Sequence, residues 1–131
     1  MNKPILKPVG WIGSSKKDLK KFPDIIQDSL GDAIQAVQYG RKPVWAKPLS
    51  GFHGAGVLEI IDSHDGDTYR AVYTVRFPEI IYVLHAFQKK SRHGIETPRQ
   101  EMELVRIRLK AAETAYQEWL AARQQEEGEH G

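Results

Sequence analysis

The chain has no cysteine among its 131 residues. That absence excludes disulfides, thiolate metal sites and cysteine nucleophiles together, and it is compatible with a reducing compartment. No apolar run reaches the roughly 18 residues that a membrane-spanning helix needs. The opening Met1-Asn2-Lys3-Pro4-Ile5 lacks the apolar stretch of a secretion signal. A cytoplasmic protein with no membrane partner is therefore the expectation. Internal repeats are missing as well, and low complexity is confined to the last few residues. What is present, 131 residues of which 40% are hydrophobic, suits one domain with one core. Residues 1–125 are expected to form that domain and 126–131 a disordered acidic tail.

The net charge of +2 hides a segregated distribution. Residues 3–21 carry six Lys against Asp18, and residues 85–110 carry seven Lys or Arg against Glu96, Glu101 and Glu103. Residues 22–84 and 111–131 are net acidic. For 3–21 a solvated surface and a phosphate-facing patch explain the lysines equally well. In 85–110 the charges flank imidazole and aromatic groups, which favours a phosphate-facing patch.

Spacing gives the elements. A short strand is expected within Ile5–Trp11, and Ser15-x-x-Asp18 resembles a capping box that opens a short helix. Pro23 must end or restart that helix. Ile26, Leu30, Ala33 and Val37 mark one face of a second helix that Gly40 stops. Residues 42–56, rich in Pro and Gly, read as a loop. Strand patterns follow at Val57–Asp62, Thr68–Phe77 and Glu79–Phe87, separated by a turn at Ser63–Asp67 and by Pro78, which implies an antiparallel meander. On the middle strand Tyr69, Ala71 and Tyr73 share the core face, leaving Arg70 on the opposite, ligand-bearing face. Thr97-Pro98-Arg99-Gln100 is a capping box, and Met102, Val105, Leu109, Ala112, Tyr116 and Trp119 form the apolar stripe of a last helix ending near Arg123. The fold class is α+β: N-terminal helices and a C-terminal helix packed on a small antiparallel sheet.

Arg70, His85, Lys89 and Lys90 collect a guanidinium, an imidazole and two ammonium groups where these elements meet. Such groups hold a phosphodiester and stabilise charge on it, so RNA is the leading substrate. Attack by the ribose 2′-OH needs a proton acceptor, a proton donor for the leaving 5′-oxygen and cations for the phosphorane, but no metal. His85 suits the proton transfers. Its strand neighbours Val83 and Phe87 are apolar and share its parity, so a core histidine is the alternative. Lys47, Arg92 and Arg99 are candidate RNA contacts. His53, His64, His93 and His130 lack ligand spacing, so neither a metal nor another cofactor is expected. Gly51-x-x-Gly54-x-Gly56 resembles a phosphate loop only superficially, and Asp62, Asp65 and Asp67 read as turn residues. Trp45 is expected to cover the core edge.

Several segments together resemble a known family: Lys47-Pro48-Leu49, Gly56-Val57-Leu58-Glu59, Gly66-Asp67-Thr68-Tyr69-Arg70-Ala71-Val72-Tyr73, His85-Ala86-Phe87-Gln88-Lys89-Lys90-Ser91 and Thr97-Pro98. They are similar to the phage-derived, HigB-like toxins of the RelE/ParE superfamily over roughly residues 41 to 120. The resemblance implies a microbial-ribonuclease-like fold and the toxin half of a type II toxin–antitoxin pair that cleaves mRNA on the ribosome. It also implies a cognate helix-turn-helix antitoxin encoded by the adjacent gene. In this comparison Arg70 matches a phosphate-contacting arginine, and Lys89 and Lys90 match basic residues at the end of the last strand. Where several such toxins carry Arg or Lys, this chain has Ile61. A non-catalytic protein of the same fold is therefore the alternative: a ParE-like gyrase-targeting toxin, or a phage remnant acting as co-repressor.

Overall fold

The computed structural model describes residues 6–52, 54, 56–89 and 97–130. Its elements run in the order β1 (Val9–Trp11), α1 (Ser15–Leu19), α2 (Asp24–Gln38), β2 (Ala46–Pro48), β3 (Val57–His64), β4 (Asp67–Thr74), β5 (Ile81–Lys89) and α3 (Arg99–His130). Local chemistry sets most of these boundaries. Ser14, not Ser15, flanks the start of α1, and its hydroxyl donates to Asp18 at 2.7 Å. Ser15 is fully buried and donates instead to the Val83 carbonyl at 3.0 Å. α2 closes with Gly40 at φ +81: the Gly40 N–H donates to Val37 and the Arg41 N–H to Ala36, which is the paired bonding of a Schellman cap. β3 and β4 are joined by Asp65-Gly66, both at positive φ, the two-residue turn that matches strand twist.

The five strands lie in the order β1-β5-β4-β3-β2. β3 to β5 form the expected antiparallel meander and β2 adds to it antiparallel to β3, but β1 runs parallel to β5, so the sheet is mixed. β2 falls inside the segment expected to be loop. Three residues ending in a proline carry no strand pattern; pairing with β3 is what makes them a strand.

Both faces of the sheet are covered. Ile26, Leu30, Ile34 and Val37 of α2 pack on Ile60, Tyr69, Ala71 and Tyr73. On the other face Val105 and Ala112 of α3, fully buried, pack with Val72, Tyr82, Leu84 and Phe87. The face of β4 that carries Arg70 is thus interior, and Val72 and Thr74 beside it are 0% exposed. A register shift decides which side chains reach this second core. Val72 lies opposite His85 while Tyr73 lies opposite Val83, so Leu84 is an extra residue in β5. Such a bulge reverses the alternation. Val83 consequently joins the α2 core, whereas Leu84 and His85 both face α3. The shared parity of Val83 and His85 inferred from the sequence does not hold.

α3 starts at Arg99, one residue beyond the expected Pro98, and continues to His130. It therefore runs past Arg123 and through residues 126–130, which were expected to be a disordered tail. Glu and Gln are good helix formers, and only Gly128 interrupts them there. Among the described residues no helix is long and apolar enough to cross a membrane.

Candidate functional site

A carboxylate inside an apolar strand starts the site. β3 begins Val57-Leu58-Glu59-Ile60-Ile61, and Glu59 sits on the α3 side of the sheet with 3% exposure. A buried charge needs partners. Arg70, diagonal to it on β4 and equally buried, donates from Nη1 to Glu59 Oε2 at 3.1 Å. Lys47, directly opposite on β2, places Nζ 3.7 Å from Oε1. Thr97, just before α3, accepts from Arg70 Nη1 at 3.0 Å and reaches Glu59 Oε2 at 3.5 Å. A cleft of about 490 Å³ opens over this group, lined by Lys47, Leu49, Ser50, Glu59, Thr97 and Met102.

The finding on Arg70 corrects the expectation of an exposed, ligand-bearing arginine. Its guanidinium is 3% exposed and held by Glu59 and Thr97. The physical reason is that α3 covers this face, so a charge there survives only by pairing. Lys47 is the half-exposed cation of the group.

His85 lies in the same row across the sheet, since Glu59 pairs with Val72 and Val72 with His85. Two strand spacings, about 10 Å, separate them. The imidazole is 5% exposed and stacks on Phe87 with ring centroids 4.9 Å apart. Its Nε2 meets the Glu101 carboxylate of α3, and Arg108 Nη1 lies 3.1 Å from Nδ1. A guanidinium only donates. Nδ1 therefore accepts, and Nε2 carries the proton given to Glu101. Arg108 also donates to the Leu84 carbonyl at 3.1 Å and to Ser14 Oγ at 2.9 Å. Both ring nitrogens are engaged in joining β5 to α3, and the ring does not line the cleft.

Of the other expected contacts, Lys89 is buried at the end of β5 on the same face as His85 and Phe87, and Arg99 is exposed at the start of α3. Lys90 and Arg92 lie outside the described residues, as do His53 and His93. Sequence reading missed Glu59, Thr97, Glu101 and Arg108 as parts of the polar assembly. Only Glu59 carried a signal: a charged residue in a Val-Leu-Glu-Ile-Ile run whose neighbours are core. Among the described residues no group of His, Cys, Asp and Glu could hold a metal ion. Trp45, expected over the core edge, is instead 71% exposed, because Ala46 occupies the buried position beside it.

None of the curated proteins compared with the chain matches it. Two solved structures are similar at low identity. A double arginine-to-alanine mutant of the Escherichia coli toxin RelE in the free state is 16% identical, with TM-score 0.47, covering 62% of this chain and 81% of that one. A chain of the toxin–antitoxin complex RelBE2 from Mycobacterium tuberculosis is 20% identical, with TM-score 0.45, covering 70% of this chain and 100% of that one. Residues 17–110, from α1 into α3 and including every described residue of the cleft, match the family described as phage-derived protein Gp49-like (DUF891), and the chain belongs to that family.

Proposed function

We propose that the chain is the toxin of a type II toxin–antitoxin pair, a metal-independent endoribonuclease that cleaves mRNA on the ribosome in the cleft beside β2 and β3. The observation that carries this reading is Glu59 on the cleft wall, paired through one carboxylate oxygen with the buried Arg70 and through the other with Lys47. Membership of a phage-derived family and the resemblance of residues 85–91 and 97–98 to phage-derived toxins support it. Glu59 takes the proton of the ribose 2′-OH as its oxygen bonds to phosphorus. Arg70 and Lys47 stabilise the phosphorane. When the bond to the 5′-oxygen breaks, Lys47 protonates the leaving oxygen, and the carboxylic acid at 3.7 Å returns its proton to the amine. Lys89, on the same face of the sheet, adds positive potential, and Arg99 holds RNA at the exposed start of α3. His85 acts as a positioning residue that seats α3 against β5. A cognate antitoxin with a helix-turn-helix domain, encoded next to the chain, neutralises it by covering the cleft.

A second reading, a non-catalytic protein such as a gyrase-directed toxin or a phage-remnant co-repressor, is favoured by one observation. Arg70 is already neutralised by Glu59, and the residue opposite it on β3 is Ile61. Inducing the chain with and without its neighbour gene, while mapping mRNA 5′ ends, separates the two. The ribonuclease reading expects new 5′ ends that vanish on co-expression and that Lys47→Met, at a half-exposed site, lowers about 100-fold or more. Growth arrest without new 5′ ends overturns it in favour of the second reading.

A further inference from the structure

The segment Arg41-Lys42-Pro43-Val44-Trp45-Ala46-Lys47 stands out on the surface. Trp45 is 71% exposed and Val44 is 90% exposed, yet the backbone that carries them is fixed on both sides. The Arg41 N–H closes the cap of α2 at 2.9 Å from the Ala36 carbonyl, and the Ala46 N–H donates to the Pro43 carbonyl at 3.0 Å. Ala46 and Lys47 are then in register with Ile60 and Glu59 on β3. The indole is therefore presented on a tight turn and not on a loose loop.

Charge along the segment itself is of one sign. Arg41, Lys42 and Lys47 fall within seven residues, and no Asp or Glu occurs between Asp32 and Glu59. β2 is the last strand of the sheet, so nothing pairs along its outer edge among the described residues. Trp45 precedes Lys47 by two residues, about 7 Å along a strand, and Lys47 lines the cleft. A flat, projecting aromatic ring flanked by cations beside a phosphate-binding cleft is the arrangement by which single strands are held: bases stack and phosphates pair. An acidic protein segment would use the same cations, and the recess beside Arg41 and Lys42 would take its apolar side chains; the flat exposed ring next to Lys47 is what favours a base.

From this we infer that Trp45 is a stacking platform for a base of single-stranded RNA, adjacent to the nucleotide held at Lys47, with Arg41 and Lys42 taking the phosphates beyond it. The inference rests on the ribonuclease reading and names how that site holds its substrate. The test is equilibrium binding of the full-length chain to a fluorescent single-stranded RNA analogue, made uncleavable by 2′-deoxy substitution, read by anisotropy. Trp45→Ala should weaken binding roughly 5- to 150-fold with an unchanged melting temperature, and Trp45→Phe should recover most of the loss. Arg41→Gln with Lys42→Gln should weaken binding and flatten its dependence on salt. Equal affinity of the wild-type chain and Trp45→Ala overturns the platform; if new mRNA 5′ ends still form on induction, the ribonuclease reading survives that result. A wild-type chain that neither binds the analogue nor generates 5′ ends overturns both. Binding of polyglutamate lost in Trp45→Ala, with no binding of the RNA analogue, overturns the inference in favour of an acidic protein partner.

Discussion

The Glu59–Arg70 pair permits a quantitative test of how the second core is built. Both side chains are almost fully buried, at 4% and 3% exposure, and meet at 3.1 Å. Forming such a pair gains little over an apolar pair of similar size, because desolvation offsets the attraction; breaking it strands a charge and costs about 3–5 kcal/mol. Arg70→Met leaves Glu59 with the Lys47 ammonium at 3.7 Å, which places its cost toward the lower end of that range. Glu59→Gln removes the carboxylate from both cations at once. The double variant removes both charges and should lose less than the sum of the two single variants by at least about 2 kcal/mol, as contacting groups do. Guanidinium unfolding at fixed pH measures all four corners of the cycle, with constant m values as the check on two-state behaviour. Single variants that each lose under about 0.5 kcal/mol, in the range of an exposed site, would refute the burial of this pair. Arg70→Ala is not a fold-neutral probe, as an exposed arginine would be, so loss of toxicity in that variant has to be compared with its folded fraction.

His85→Ala, which removes the ties to Glu101 and Arg108, should lose about 1–3 kcal/mol while the folded fraction cleaves at near wild-type rate. A 100-fold loss of cleavage at unchanged melting temperature would restore His85 as the proton-transfer group. Gly10→Ala should lose about 1–3 kcal/mol by overpacking, since an added Cβ would lie 2.5 Å from the ring of Tyr82, which is itself 3% exposed; thermal melting checks it. Burial pushes the Tyr73 phenol up to about 12, so the folded chain holds that proton at pH values where the unfolded chain, near 10, releases it. Stability from this group is complete below pH 10 and drains away between pH 10 and 12, by roughly 3 kcal/mol at most. Tyr73→Phe should therefore reduce the alkaline fall in melting temperature.

How much of this was legible in the sequence depends on how local the cause was. The stripe Ile26-Leu30-Val37 and the stripe from Met102 to Trp119 fixed α2 and α3 because helical spacing is written in consecutive turns. The Gly40 stop and the Asp65-Gly66 turn are equally local. The parallel placement of β1 is not local, since Ser15 and Ile12 reach across to the Val83 carbonyl from far along the chain. The Leu84 bulge is hidden for another reason: strict alternation is the only rule a sequence offers for a strand, and one extra residue reverses it without a compositional mark.

The site was half visible for the same reasons. Basic residues announce themselves by charge, so Arg70, Lys89 and Lys47 could be named, but charge alone says nothing about exposure. Exposure was decided by α3, whose start brings Thr97 onto the Glu59–Arg70 pair and, about one helical turn later, Glu101 onto His85. One short stretch of chain thus closes two polar clusters that lie in a single row of the sheet. Any partner that lifts the start of α3 would uncouple His85 from Glu101 and Thr97 from Arg70 together. Covering the cleft and shifting this helix are therefore physically distinct ways to silence the site, and only the second changes the environment of the His85 ring. Proton chemical shifts of that imidazole, compared in the free chain and in the presence of the proposed antitoxin, distinguish them: an unchanged ring signal means the cleft is covered, and a ring released from Glu101 means the helix has moved.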